Sequence, residues 1–274
     1  MSLLPRARTP AAHRVAALAV VLVAALSVAG LGPPPAAAAT SASSVAASLL
    51  ARTNRDREAR GLKPLRLDSR LAGIAGDRSS NLADAASFSH SAAGGSLSTP
   101  LKRVGVQWYA WAENIAWMPG GLTTSTAASI YRAWRNSSSH WRALMSHTLN
   151  YVGFGVAVRS SDGRVFASAV FTESRDHSAP HARVDRATRS GATITFTWHG
   201  SDPSLQTHWA HLRDFDVWYR VDGGGWSLIR DNTTATSLRL SSRAPGHRYE
   251  LMVRARDRAY NVGPQSEPLG VWVP

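Results

Sequence analysis

Residues 108–117 read Trp108-Tyr109-Ala110-Trp111-Ala112-Glu113-Asn114-Ile115-Ala116-Trp117. One carboxylate, Glu113, stands among four large aromatics and several small apolar residues. A carboxylate half-buried by aromatics has to be paired, hydrogen-bonded or protonated, because burying it alone is costly. The reading of the chain therefore turns on which side chains reach Glu113. Two histidines flank it, His90 in Phe88-Ser89-His90-Ser91 and His140 in Ser137-Ser138-Ser139-His140-Trp141.

Upstream, Val45 to Arg60 has helical periodicity, with Arg52, Arg55 and Arg57 expected to face out and Gly61 ending the helix. Asp68 is placed to cap a second helix whose buried stripe is Leu71, Ile74, Ala75, Arg78 and Leu82. A short helical turn carries Leu101 and Val104. Downstream, Pro119-Gly120-Gly121 is a break, and a third helix follows with Ala127, Ile130, Tyr131 and Trp134 inward. Ser137 to Ser139 interrupt it before another short helix through Met145. Val152 to Val158 and Val165 to Phe171 then alternate as two strands of a hairpin turning at Ser160-Ser161-Asp162-Gly163. Helices followed by a hairpin predict an α+β sandwich rather than a βαβ fold.

Beyond a polar linker, expected at 175–183, the texture changes to short strands: 192–198, 215–221, 226–229, 237–240, 249–255 and 269–273. That spacing predicts an all-β sandwich over 184–274. The segment Gly200 to Arg213 is long for a loop between two such strands.

The 274 residues carry a net charge of +13 and no cysteine. Residues 1–39 read as a secretory signal: Arg6, Arg8 and Arg14, an uncharged apolar run from Val15 to Leu31, a proline break and a small-residue cleavage site at Ala37-Ala38-Ala39. The mature chain is then expected outside the cell, wall-associated or free, with no retained membrane span. Without cysteine it has no zinc–thiolate site, no Cys nucleophile and no disulfide, so its core alone must hold it together. Residues 40–175 hold sixteen basic and eight acidic side chains, against twelve and ten in 176–274. The positive excess therefore lies in the first domain, as a solvated arginine surface or as attraction to anionic wall polymer or lipid. Nucleic acid is not an expected partner, since no binding motif or tight basic cluster is present.

Five motifs in order resemble the CAP superfamily of cysteine-rich secretory proteins, antigen 5 and pathogenesis-related proteins, in its bacterial SCP-like form. They are Asn54-x-x-Arg57-x-x-Arg60-Gly61-Leu62-x-Pro64-Leu65-x-Leu67-Asp68, Phe88-Ser89-His90-Ser91, Ala112-Glu113-Asn114-Ile115-Ala116, Trp134-x-x-Ser137-x-x-His140-Trp141 and Val152-Gly153-Phe154-Gly155-Val156. The resemblance implies a CAP domain over 43–174, an α-β-α sandwich with a His/Glu cleft. It carries His90, Glu113 and His140 into that cleft. Ala112 stands where the family has glycine, and Ser137 where its eukaryotic branch has a second glutamate. Residues 184–274 resemble a fibronectin type III module, an immunoglobulin-like sandwich, through Trp198, Tyr249 and Ala255 to Gly263.

Several chemistries stay open at this stage. His90, Glu113 and His140 form a donor set suited to Zn2+ or another divalent metal. They equally suit a buried glutamate hydrogen-bonded to imidazoles. A hydrolase would use Glu113 as base, with His90 and His140 as metal ligands; no nucleophile elbow supports a serine enzyme. The dense tryptophans, Trp111 above all, suit a small ligand, a sugar or a lipid, while Trp134 and Trp141 are expected in the core. The expectation leans to a non-enzymatic binding protein, its β module reaching a wall polymer or an extracellular protein. His147, His177, His181, His208 and His211 are expected at the surface.

Overall fold

A computed structural model describes residues 40–274; the expected signal, 1–39, lies outside the described residues. Helix α1 (Ala42–Glu58) opens with a capping box, Ser41 Oγ accepting from Ser44 N at 3.1 Å and Ser44 Oγ from Ser41 N at 3.0 Å. Its buried stripe is Val45, Leu49, Thr53 and Arg57. Arg57 therefore points in, not out. Its guanidinium donates to the carbonyls of Lys63 (2.8 Å), Leu144 (2.9 Å) and Ser146 (2.9 Å), and burial lowers its pKa to about 10. The 3.6-residue period puts position 57 below Thr53, and its charge is met by carbonyls brought in from far along the chain.

Strand β1 (Arg66–Leu67) leads to α2 (Ser69–Asp84), capped by Asp68 and buried along the expected stripe, Arg78 included. After α3 (Ser98–Arg103), the aromatic stretch is itself a strand, β2 (Ala110–Met118). Helices α4 (Thr126–Arg135) and α5 (Ser138–Leu144) precede the hairpin β3 (Tyr151–Val158) and β4 (Val165–Glu173). The sheet order is β1-β3-β4-β2, so β2 is an edge strand, antiparallel to β4 with Glu113 opposite Val170.

The alternation of β2 sorts its side chains onto two helical layers. Ala112, Ala116 and Met118 pack into the core shared with α1, α4 and α5, where Trp134 is fully buried. Ile115 faces the other way, onto Leu82 and Ala83 of α2. Helices thus cover both faces of the sheet. Helix α2 lies flush on β3 because Gly153 and Gly155 have no side chain; a Cβ at either would fall inside the α2 backbone at Leu71–Ala72 or Ala75–Gly76.

Eight strands follow. One sheet holds β5 (His181–Ser190), β6 (Thr193–Ser201) and, after β7 (Leu212–Val221) and β8 (Ser227–Thr233), β9 (Ser237–Leu240). The other runs β11 (Val262–Gln265), β10 (His247–Asp257), β7, β8, with β12 (Leu269–Val273) also on β10. Ile194, Phe196 and Trp198 from the first sheet meet Phe215, Val217, Leu251 and Val253 from the second in one core. Tyr249 donates back to the carbonyl of Ala244 at 2.9 Å, pinning the turn before its strand.

The two halves are packed together, and Thr40–Pro274 form one unit. Residues 175–183 are not a free tether. Asp176 is buried, its Oδ1 accepting from Tyr151 Oη at 3.1 Å, and β5 already begins at His181. The long loop between β6 and β7 explains its length by docking back. Leu205 is buried among Leu71, Leu101 and Tyr151, Gln206 accepts from Lys63 N at 2.8 Å, and Thr207 donates to the carbonyl of Thr148 at 2.7 Å. His208, exposed as expected, and His177, half-buried, both make contacts at this seam. His177 stacks on Tyr151 and bonds Asp68 at 2.8 Å; His208 stacks on Tyr109 and bonds Glu173 at 2.9 Å.

Candidate functional site

The site is built where three elements converge on β2. Glu113 projects from the strand toward α2, the side chain only 4% exposed. Arg78, on the buried stripe of α2, meets it with a forked pair: Nε reaches Oε1, and Nη2 donates to Oε2 at 2.8 Å. Ser168 Oγ of β4 donates to Oε1 at 3.1 Å, and His90 Nδ1 lies 2.6 Å from Oε2. A carboxylate offers about four lone-pair positions. Here two guanidinium N–H groups, a hydroxyl and an imidazole N–H approach them. The bond from Nδ1 sets the His90 tautomer and leaves Nε2 turned elsewhere on a side chain that is 57% exposed.

Nη2 of Arg78 also donates to the carbonyl of Gly95 at 2.9 Å, so the same guanidinium ties the His90–Gly95 loop to the helix. Arg78 has a further face, on a cavity of about 420 Å³ lined by Asp77, Asn81, Gly94, Thr99 and Arg103. His140 arrives from α5. Its side chain makes no hydrogen bond with Glu113; its backbone carbonyl accepts from Asn114 Nδ2 at 3.0 Å. Burial, and then the nearby charge of His90, lower the His140 pKa. His140 therefore favours its neutral form.

Of the residues expected here, the structure joins His90 to Glu113 directly and brings His140 near through Asn114. Trp111 is on β2 two positions from Glu113 and 42% exposed. Ser137, at the position of the missing glutamate, is the N-cap residue of α5, and its hydroxyl meets that of Ser139 at 3.1 Å. Ala112 fits where glycine was expected because its methyl group joins the core under α4. Arg78, Ser168 and Asn114 were not foreseen as site residues. The signal for Arg78 was present, since an arginine on a buried stripe needs acceptors for its guanidinium N–H groups.

The donor set does not fit a divalent metal in this arrangement. Both Glu113 oxygens are engaged by protein donors, and a guanidinium occupies the position a cation would take. Among the described residues, the one group of three acidic or histidine side chains gathered tightly enough for an ion lies elsewhere, at Asp176, Asp202 and Asp257.

An α-β-α sandwich with one histidine paired to a strand glutamate is the setting of the match: residues 50–171 match the model of the cysteine-rich secretory protein family, CAP, and form a CAP domain. Among curated proteins, an uncharacterised protein, YkwD of Bacillus subtilis strain 168, is 31% identical over 104 residues, 38% of each chain. Among solved structures, an extracellular protein containing an SCP domain from Bacillus anthracis is 25% identical over 48% of this chain and 41% of that one, with a TM-score of 0.41. The sixth fibronectin type III domain of human fibronectin type III domain containing protein 3 is 15% identical over 38% of this chain and 89% of that domain, with a TM-score of 0.28. The matches span about two-fifths of the length of the two bacterial relatives. Among the described residues, no helix is long and apolar enough to cross a membrane.

Proposed function

We propose that this is an exported, non-enzymatic binding protein. Its CAP domain takes a small ligand or lipid beside His90, His140 and Trp111. Its fibronectin type III-like module is a rigidly attached arm toward wall polymer or an extracellular partner. The observation that carries the reading is the saturation of Glu113 by Arg78, Ser168 and His90. A general base or a metal ligand needs an oxygen free to receive a proton or an ion. Glu113 has neither, and serves as the ion-paired anchor of the cleft loops. A second exposed aromatic on β2 supports a binding role: Trp117, 39% exposed, lies on the same strand as Trp111.

The test uses the purified chain against two probes, insoluble peptidoglycan and phospholipid vesicles. Retention on one of them, weakened roughly tenfold or more by Trp111→Ala as for an aromatic anchor, supports the reading. A metal-dependent hydrolysis abolished in a stably folded Glu113→Gln variant would sink it in favour of the hydrolase.

A further inference from the structure

The seam between the two domains gathers three acids, two of them buried and the third half-buried, that no arginine, lysine or histidine neutralises. Asp176 follows β4, Asp202 follows β6 and Asp257 ends β10. One carboxylate oxygen from each lies within 4.8 Å of the other two. Asp176 and Asp257 are themselves buried, at 6% and 0% exposure.

Asp176 and Asp257 are held by neutral groups. Asp176 Oδ1 accepts from Tyr151 Oη and Ser178 N, and Oδ2 from Ala210 N; Asp257 accepts from the backbone and side chain of Asn261. Asp202 is different. Both of its oxygens are shut off from solvent and meet no donor in hydrogen-bond geometry. The Trp209 side chain and the backbone of His211 approach them without closing such a bond. Burial, and then the charge of Asp176, push the Asp202 carboxyl up to about 6.

An unpaired buried charge is among the costlier features a fold can contain, and three together repel as well. Two other buried acids avoid the situation. In the same β domain Asp214 and Asp216 are buried, but Arg254 and Arg256 contact them at 2.7–2.8 Å. At the seam the matching positive charge is not supplied by a side chain.

We propose that Asp176, Asp202 and Asp257 bind a divalent cation of the Ca2+ class that bolts the β domain to the CAP domain. The donors are all hard carboxylate oxygens, as Ca2+ prefers. Two oxygens bound to one Ca2+ lie at most about 5 Å apart, given bond lengths of about 2.3–2.6 Å, and the three aspartates meet that limit. Each comes from a different segment: the chain leaving the CAP domain, the loop that docks back on it, and the core strand β10. An ion here would lock the seam, and removing it would loosen the docked loop. This site is independent of the reading given to Glu113.

The experiment is calorimetric titration of chelator-treated full chain with CaCl2, alongside melting with CaCl2 or with EGTA. One Ca2+ per chain, a higher Tm in Ca2+, and binding weakened roughly tenfold or more in Asp202→Asn, which loses one charged ligand, are expected. No heat and no Tm change at about 1 mM Ca2+, the weak end for such sites, would overturn the proposal, as would equal binding by Asp202→Asn. A second measurement covers a variant that does not fold. Tb3+, a luminescent stand-in for Ca2+, should show indole-sensitised emission that falls sharply in Trp209→Phe, which keeps all three ligands. Emission unchanged in that variant places the ion elsewhere and also overturns the assignment.

Discussion

Glu113 and Asp202 are both carboxylates taken out of water, the first inside the CAP domain and the second at its seam with the β domain. Around Glu113 the chain supplies a guanidinium, a hydroxyl and an imidazole. Around Asp202 it supplies two further acids and no cation. The contrast separates structural from unfinished charge. An acid whose lone pairs are filled from within the fold is part of the scaffold. An acid left bare beside others points to something the polypeptide does not contain.

The largest effect should come from breaking the filled site. Arg78→Met removes the forked donor and leaves Glu113 buried with only His90 and Ser168. Loss of one partner of a buried pair costs about 3–5 kcal/mol, measurable by urea unfolding of the full chain. The double variant Arg78→Met/Glu113→Gln should recover a good part of that loss, because no bare charge remains. A single-variant cost under about 1 kcal/mol, the value of an exposed pair, would mean that Arg78 does not anchor Glu113 in solution.

Asp68 lies between the two extremes, beside the seam but paired. Burial alone would raise its pKa, but hydrogen bonds from His177 and Arg70 outweigh that and hold it well below the usual carboxylate range. A depressed acid stabilises the fold above its unfolded pKa, about 3.9, and the contribution is lost as pH falls below that. Asp68→Asn should therefore cost about 1–3 kcal/mol at neutral pH, as for a charged hydrogen bond, and should flatten the loss of stability on acidification. An acid limb as steep as the wild type's would show that the Asp68–His177 bond contributes nothing in solution.

What could be read from the residues depended on range. The helices and the hairpin follow from local periodicity, and the Glu113 motif reached His90 only through a family resemblance. Arg78 was visible as a buried arginine, but its partner is 35 residues away on an edge strand, and no local pattern specifies such a pairing. Arg57 lies inside, against the expectation from its charge, because helical phase places it on the buried stripe and carbonyls receive its guanidinium. Strand β2 was not assigned because its aromatics dominate the stretch and mask its alternation. The seam was least legible. The loop from Gly200 to Arg213 stood out by length, yet Leu205 reveals its role only once it sits beside Tyr151. Residues 175–183 looked like a linker because they are polar; they are polar because they hydrogen-bond across an interface.

The smallest expected effect tests whether the two imidazoles form one site. The His140 pKa is lowered first by burial and second by the charge of His90. A base with a depressed folded pKa binds fewer protons folded than unfolded, so its contribution to stability is full above about pH 6.5 and is lost as pH falls. The titration midpoint of His140, followed by proton NMR, should lie below that of free histidine. In His90→Gln the midpoint should rise, since the neighbouring charge is gone, but should stay below the free value because burial persists. No movement would separate His140 from the Glu113 cluster and reduce the site to Arg78, Glu113 and His90. A full return to the free value would instead mean that His90, not burial, sets the protonation of His140. The cleft would then respond to pH as a coupled pair.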